Sequence, residues 1–317
     1  MIGQLLSNYK ILSEIGQGGM SNVYLAENLS LRSQVALKVL KDEYVRDRNV
    51  RSRFISEAKN MSQIKHPNIV QVYDLIDAGD IVAIVMEYVE DLSLKQYLEQ
   101  KKQLDDLEIK RLLQQMLKAL EHIHDAGFVH RDIKPSNFLM CKNDLIKLAD
   151  FGIAKNVNEV NNNYTMTGVQ MGTPMYMSPE QIRSTKDVDF RSDIYSLGVV
   201  LFEMANGSLP SYYLNHSLPE VQVSILRTPL PNTNSKWDIM ISKATEKQID
   251  IRYENCRAWM TSLNFLNVQK HEFKPHNIHL ISVKQNPITN PNHILIASCV
   301  SFGIIALVFF VLFNYSF

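Results

Sequence analysis

The chain has 317 residues, 33 of them basic and 33 acidic, and 45% are apolar. That length exceeds one average core and predicts two lobes or domains. The zero net charge argues against nucleic acid as a partner, which needs a basic surface. Cys141, Cys256 and Cys299 lie far apart with no metal-ligand spacing, so they read as reduced thiols of a cytosolic context, Cys141 and Cys256 as small buried hydrophobes. The N-terminus lacks a basic start followed by an apolar run, so no signal peptide is expected. From Tyr9 to Val39 short β-type runs are broken by glycines, and Val35 to Val39 is the clearest strand. Between Val50 and Ile64, the recurrence of Phe54, Ala58, Met61 and Ile64 predicts a helix that ends at His66-Pro67-Asn68. Strand-like runs follow at Ile69 to Leu75 and Ile81 to Tyr88, the second nearly continuous in apolar residues, as a central strand would be. Beyond Tyr88 the periodicity turns helical, at Leu92 to Gln100, Asp105 to Ala126, Ser192 to Asn206, Trp237 to Thr245 and Cys256 to Leu266.

The two ends of the pattern differ from its middle. Residues 269–293 carry scattered prolines and little periodicity and read as a linker. Residues 294–313 contain no charge. As a helix this stretch would be roughly 30 Å long, the hydrocarbon thickness of a bilayer. A buried core helix would show a polar stripe, which this segment lacks. The expectation is a transmembrane helix, preceded by Lys270, Lys274 and Lys284 on the cytoplasmic side.

Chemistry concentrates in the run His130-Arg131-Asp132-Ile133-Lys134-Pro135-Ser136-Asn137. Asp132 can accept a proton from an attacking hydroxyl, Lys134 can neutralise a transferred phosphoryl group, and Asn137 can hold a magnesium ion. Asp150-Phe151-Gly152 follows the strand-like run Leu145 to Leu148, where an aspartate can bridge metal and triphosphate oxygens. Gly16-Gln17-Gly18-Gly19-Met20-Ser21-Asn22-Val23 lies between two strand-like runs. It reads either as a hairpin turn or as a loop whose backbone N–H groups approach phosphates. Lys38 sits among apolar residues, a costly place unless it has a partner.

Taken together these runs resemble a protein kinase domain over residues 9 to about 266, in the form of bacterial eukaryotic-type (Hanks-type) serine/threonine kinases, like the kinase domain of PASTA-repeat receptor-like kinases. The resemblance implies an α+β, bilobal protein kinase fold. A small β-rich N-lobe would span about 9–88 and a large helical C-lobe about 89–268. A juxtamembrane linker (269–293), one C-terminal transmembrane helix (294–313) and a short extracytoplasmic tail (314–317) would follow, without an extracellular sensor region. It implies ATP and Mg2+ (with Mn2+ as a substitute) as cofactors, and a kinase domain on the cytoplasmic side of the cell membrane.

By the same resemblance Asp132, Lys134, Lys38 and Glu57 are the catalytic group, with Lys38 on the α/β-phosphates and Glu57 as its partner. Ile15, Gly16, Gly18, Gly19, Ser21, Val23, Ala36, Lys38, Met86, Glu87, Val89 and Asn137 bind the nucleotide. Asn137 and Asp150 hold the metal. Ser21 replaces the third glycine of the loop, and Ser178 replaces the alanine usual before Pro179-Glu180. Thr165 and Thr167 match paired autophosphorylation sites, which Arg131 would pair with once phosphorylated. Thr173 matches a threonine that hydrogen-bonds near Asp132 and Lys134, and Arg252 matches the partner of Glu180. Asp193 matches the aspartate that holds the catalytic loop's backbone; a helix N-terminal cap is the plainer reading of it, and both roles could coexist. Protein substrates and a homodimer are the further expected partners, the second because Ala297 and Ser301 are small residues four apart. Leu209 to Asn234 is compressed, so a short or altered substrate-docking helix is expected there. A nucleotide-binding module without catalysis would lack one of these groups, and all are present. A membrane-tethered interaction protein is the other alternative: the short tail is not expected to sense by itself, but a partner could sense for the chain.

Overall fold

The computed structural model describes residues 1–150, 174–183 and 188–266, and the backbone of 298–301 and 304–307. Met1–Lys270 and His271–Phe317 are separate compact units.

In the first unit, strands β1 (Leu5–Leu6), β2 (Tyr9–Gln17), β3 (Ser21–Asn28), β4 (Ser33–Leu40), β5 (Val72–Ala78) and β6 (Ile81–Glu87) form one antiparallel sheet, in the order β1-β2-β3-β4-β6-β5. The apolar run of β6 is buried from Val82 to Met86 because strands flank it on both edges. Alternation along β4 divides its side chains between two faces. Val35, Leu37 and Val39 join Ile11, Tyr24 and Val85 on one side, while Ala36 and Leu40 join Ile84 and Met86 on the other. Lys38 falls on the second face by parity.

That face is covered by helix α2 (Arg48–Gln63), which follows a single turn, α1 (Asp42–Val45). Asp47 caps α2 by accepting from the backbone N–H of Asn49 and Val50 at 2.9 and 3.2 Å. Val50, Phe54, Glu57, Ala58 and Met61 make its buried stripe, so helical spacing carries a carboxylate into the layer between helix and sheet. Ile69 and Val70 do not continue into β5. The Val70 N–H donates to the Leu148 carbonyl at 2.9 Å, and the Leu148 N–H to the Asn68 carbonyl at 2.8 Å. Asn68 Nδ2 adds a bond to the Ile146 carbonyl at 2.8 Å.

The second part of this unit is helical around a short hairpin. Helices α3 (Leu94–Lys101) and α4 (Asp106–Asp125) lead to strands β7 (Phe138–Cys141) and β8 (Leu145–Leu148), and then to α5 (Pro179–Arg183) and α6 (Arg191–Asn206). Helices α7 (Ser211–Asn215), α8 (Leu218–Arg227), α9 (Asp238–Ala244) and α10 (Cys256–Phe265) complete it. The periodic stretches read from the sequence lie within a few residues of α2, α3, α4, α6, α9 and α10. The stretch from Leu209 to Asn234, expected to be compressed, contains two helices. Ser217 and Glu220 form a capping box at the start of the ten-residue α8.

Helix α6 is buried almost all round, the mark of a helix at the centre of a lobe. It touches α9 so closely that a Cβ on Gly198 would lie 2.7 Å from Thr245 Cγ2 and 2.8 Å from Ala244 Cβ. Gly198→Ala is therefore expected to destabilise the domain by about 1–3 kcal/mol through overpacking, which thermal denaturation would read.

In the second unit Ser298–Ser301 (β9) and Ile304–Leu307 (β10) are an antiparallel pair. These eight residues are the described part of the stretch 294–313 expected to be a helix, and the rest of it lies outside the described residues. Among the described residues no helix is long and apolar enough to cross a membrane.

Candidate active site

A cleft of about 690 Å³ lies between the sheet and the helical part. Ile15, Gly16, Val23 and Ala36 line it from the sheet, Met86, Glu87, Tyr88 and Val89 from the connecting segment, and Leu139, Ala149 and Asp150 from below. Val70 and Leu139 were not among the expected nucleotide contacts; each is an apolar residue whose place depends on β8 pairing rather than on a local motif. A larger concavity of about 830 Å³, against Met1, Leu40, Glu43 and Arg46, contains none of the candidate groups.

Gly18 and Gly19 occupy the turn between β2 and β3, and Ser21 opens β3. The Gly18 N–H donates to the Ser21 carbonyl at 2.8 Å, and a Cβ on Gly18 would meet that oxygen at 2.9 Å, so only glycine fits without a shift.

Lys38 Nζ donates to Glu57 Oε1 at 3.0 Å and to Asp150 Oδ1 at 2.9 Å. Burial opposes the charge of Lys38, but the Asp150 and Glu57 carboxylates together exceed it and hold the ammonium well above its ordinary pKa. Burial raises the Glu57 pKa against the pull of Lys38. For Asp150 burial again acts upward, but Lys38 prevails and the value is lowered. The Asp150 side chain is nevertheless 41% exposed, so its carboxylate is open to the cleft and solvent screens part of that effect.

Below them, Asn137 Nδ2 donates to the Asp132 carbonyl at 2.7 Å and to Asp132 Oδ2 at 3.1 Å, and Lys134 Nζ lies 2.9 Å from the same Oδ2. Since Nδ2 makes both bonds, Asn137 Oδ1 remains as an oxygen donor. With the Asp150 carboxylate it gives a pair of hard oxygen ligands, a donor set that fits magnesium shared with phosphate oxygens.

The loop carrying Asp132 is fixed from behind. Asp193 Oδ2 accepts from the His130 N–H and Asp193 Oδ1 from the Arg131 N–H, each at 2.8 Å, and His124 Nε2 lies 2.9 Å from Oδ2. The N-cap of α6 is Phe190, so Asp193 anchors the loop and does not cap the helix. Burial opposes its charge, but bonds from His124 and His130 outweigh that and lower its pKa. His130 is fully buried, which depresses its own pKa. Its Nε2 lies 3.2 Å from the Ala149 carbonyl, and its Nδ1 accepts from the Asp132 N–H at 3.3 Å, so both ring nitrogens of the neutral form are used.

Glu180 and Arg252 meet in a two-pronged pair at 2.7 and 2.8 Å, with Ser192 Oγ donating to the same carboxylate. Thr165, Thr167 and Thr173 lie outside the described residues, as do Phe151 and Gly152.

The two lobes and the cleft between them have the protein kinase architecture. A match to the protein kinase domain family covers residues 9–262, and the chain belongs to that family. Serine/threonine-protein kinase PrkC of Bacillus subtilis is 40% identical over 266 residues, covering 80% of this chain and 40% of that protein. Serine/threonine-protein kinase PknB of Mycolicibacterium smegmatis is 36% identical over 261 residues, covering 79% and 41%. The chain thus spans about two-fifths of the length of these curated relatives. The crystal structure of the Mycobacterium tuberculosis PknI kinase domain superposes with a TM-score of 0.66 at 25% identity, covering 83% of this chain and 97% of that one. Protein kinases use ATP and a divalent metal.

Proposed function

We propose that this chain is an ATP-dependent protein serine/threonine kinase that transfers the γ-phosphoryl group to serine and threonine hydroxyls of proteins. The reading is carried by Asp150 on the cleft wall, bonded to Lys38 and close enough to Asp132 and Lys134 to feel their charges, with Asn137 bonded to Asp132. Phosphoryl transfer passes through a loose transition state, so the protein mainly positions groups and balances charge. Lys38, aligned by Glu57, holds the α/β-phosphates, and the turn from Gly16 to Ser21 covers them. Asp132 accepts the proton of the incoming hydroxyl through its carboxylate. Lys134, already beside that carboxylate, faces the charge that develops on the transferred group. Asn137 and Asp150 would hold Mg2+, or Mn2+ in its place, and the bound metal would neutralise phosphate charge. Purified chain incubated with γ-labelled ATP and a generic protein substrate should label serine and threonine. An absence of label under these conditions would sink the assignment.

Two regulatory features belong to the same reading. Thr165 and Thr167 are proposed autophosphorylation sites, since a phosphate there adds about −1.5 to −2 charges able to pair with Arg131. Mass spectrometry after incubation with ATP should find phosphothreonine at one of them, and an unmodified segment from an active enzyme would remove this element. Residues 294–313 are proposed to anchor the chain in a membrane, with the kinase domain cytoplasmic. An isolated two-stranded pair of this size is marginal in water at best, whereas twenty uncharged residues match a bilayer as a helix. Lateral pairing of such anchors would raise the local concentration and favour phosphorylation between copies. The full chain should float with lipid vesicles and a chain ending at residue 290 should not; equal partition of the two would exclude the anchor.

A further inference from the structure

We propose that Gln181 is a positioning residue for the catalytic loop, holding the Arg131 carbonyl and through it the place of Asp132. The inference rests on the kinase reading above. Arg131 has a φ of 66°, in the left-handed region, which a long-chained L residue occupies only where its surroundings impose it. Those surroundings act on both of its peptide units. The N–H groups of His130 and Arg131 are held by Asp193 on α6. The Arg131 carbonyl accepts from Gln181 Nε2 at 3.0 Å, on α5. That carbonyl shares its peptide plane with the Asp132 N–H, which donates to His130 Nδ1 at 3.3 Å. The plane leading into Asp132 is therefore gripped at its oxygen by Gln181 and at its nitrogen by His130. If it swings, the Asp132 carboxylate moves away from Lys134 and Asn137, which lie 2.9 and 3.1 Å from its Oδ2.

The other end of the Gln181 side chain explains why it can grip. Gln181 Oε1 accepts from the Ser178 N–H at 2.9 Å, and Ser178 Oγ accepts from the Gln181 N–H at 3.3 Å, a reciprocal capping pattern. Oε1 is committed to a donor, so Nε2 is the end that meets the carbonyl, and the amide orientation is set by its partners. The neighbouring Glu180 is locked to Arg252 at 2.7 and 2.8 Å, so Gln181 stands on a fixed base. A small cavity brings Gln181 together with Arg131, Asp132, Lys134, Tyr176 and Ser196.

Gln181→Glu separates positioning from capping. A glutamate completes the capping pattern as well as glutamine, and an acid suits a helix start. It has no donor for the Arg131 carbonyl while ionised. In the full chain, kcat for a generic protein substrate is expected to fall about 10–100-fold at pH 8, with the KM for ATP and the Tm unchanged. The loss should be the same at pH 6 and pH 8, because a carboxyl with an ordinary pKa of about 4.3 stays ionised across that range. Gln181→Met, which lacks both functions, should lose kcat and lower the Tm as well. Equal kcat for Gln181→Glu and wild type at every pH would overturn the inference alone. So would a loss matched by a lower Tm, since that assigns Gln181 to local structure. Inactive wild type overturns the kinase reading and takes this inference with it.

Discussion

Asp132→Asn is expected to lower phosphate transfer to a protein hydroxyl by about 10²–10⁴-fold, the range over which a positioned general base contributes. Asparagine keeps the size of the side chain and an oxygen able to accept from Lys134 or Asn137, so the loop geometry has no reason to change. The groups that grip the nucleotide are elsewhere: Lys38 on β4, Asp150 after β8, and the lining from Met86 to Val89. ATP binding measured by calorimetry should therefore stay within about twofold of wild type. A variant that labels protein substrate at the wild-type rate would show that Asp132 accepts no proton, whatever its position in the cleft.

Arg252→Met should have the largest effect on stability. It leaves Glu180 buried at 9% exposure with only Ser192 as a side-chain partner, and breaking a buried pair from one side removes about 3–5 kcal/mol. For a domain of this size that is a fall in Tm of roughly 6–20 °C. Acidification supplies a second reading. Burial pushes the Glu180 pKa up, but the hydrogen bonds and charge of Arg252 exceed it and hold the value below normal. The wild-type contribution is thus present above the unfolded carboxylate value of about 4.3 and is lost as the pH falls through the lower folded value. In the variant the unpaired carboxyl titrates upward, so the folded state takes up the proton first and gains stability on acidification. The gap in Tm between the two should narrow from about pH 7 to pH 4, and a gap that widens would contradict the assignment.

The readability of the site follows from how local its parts are. Asp132, Lys134 and Asn137 must share one short loop to act on one phosphate, so they stand within six residues and can be read as a word. Lys38 and Glu57 are legible through periodicity, since strand parity and helix spacing aim them at the same layer. The β7 strand was not legible, because four residues beside a loop become a strand only through pairing with β8. Helix α8 did have a signal, Ser217 and Glu220 three apart with Pro219 between them, but its context looked like a shortened connection. Gln181 meets Arg131 across fifty residues, and no local pattern announces such a contact. Asp193 was ambiguous for the opposite reason: an acid in the first turn of a helix suits two roles, and only the positions of His130 and Arg131 choose between them.

The three bonds that tie Asn68 and Val70 to β8 adjoin the stretch from Glu87 to Val89, since the Glu87 N–H donates to the Gln71 carbonyl at 2.8 Å and Lys147 Nζ on β8 lies 3.0 Å from Glu87 Oε2. The sheet and the helical part are consequently bound along one reinforced edge, like a cover glued as well as sewn. A body joined that way can rock about the line between its attachments but cannot slide or spread freely. Breathing of the mouth should leave the deep end of the purine slot almost unchanged in width, and amide exchange at Val70 and Leu148 should be as slow as in the core of α6.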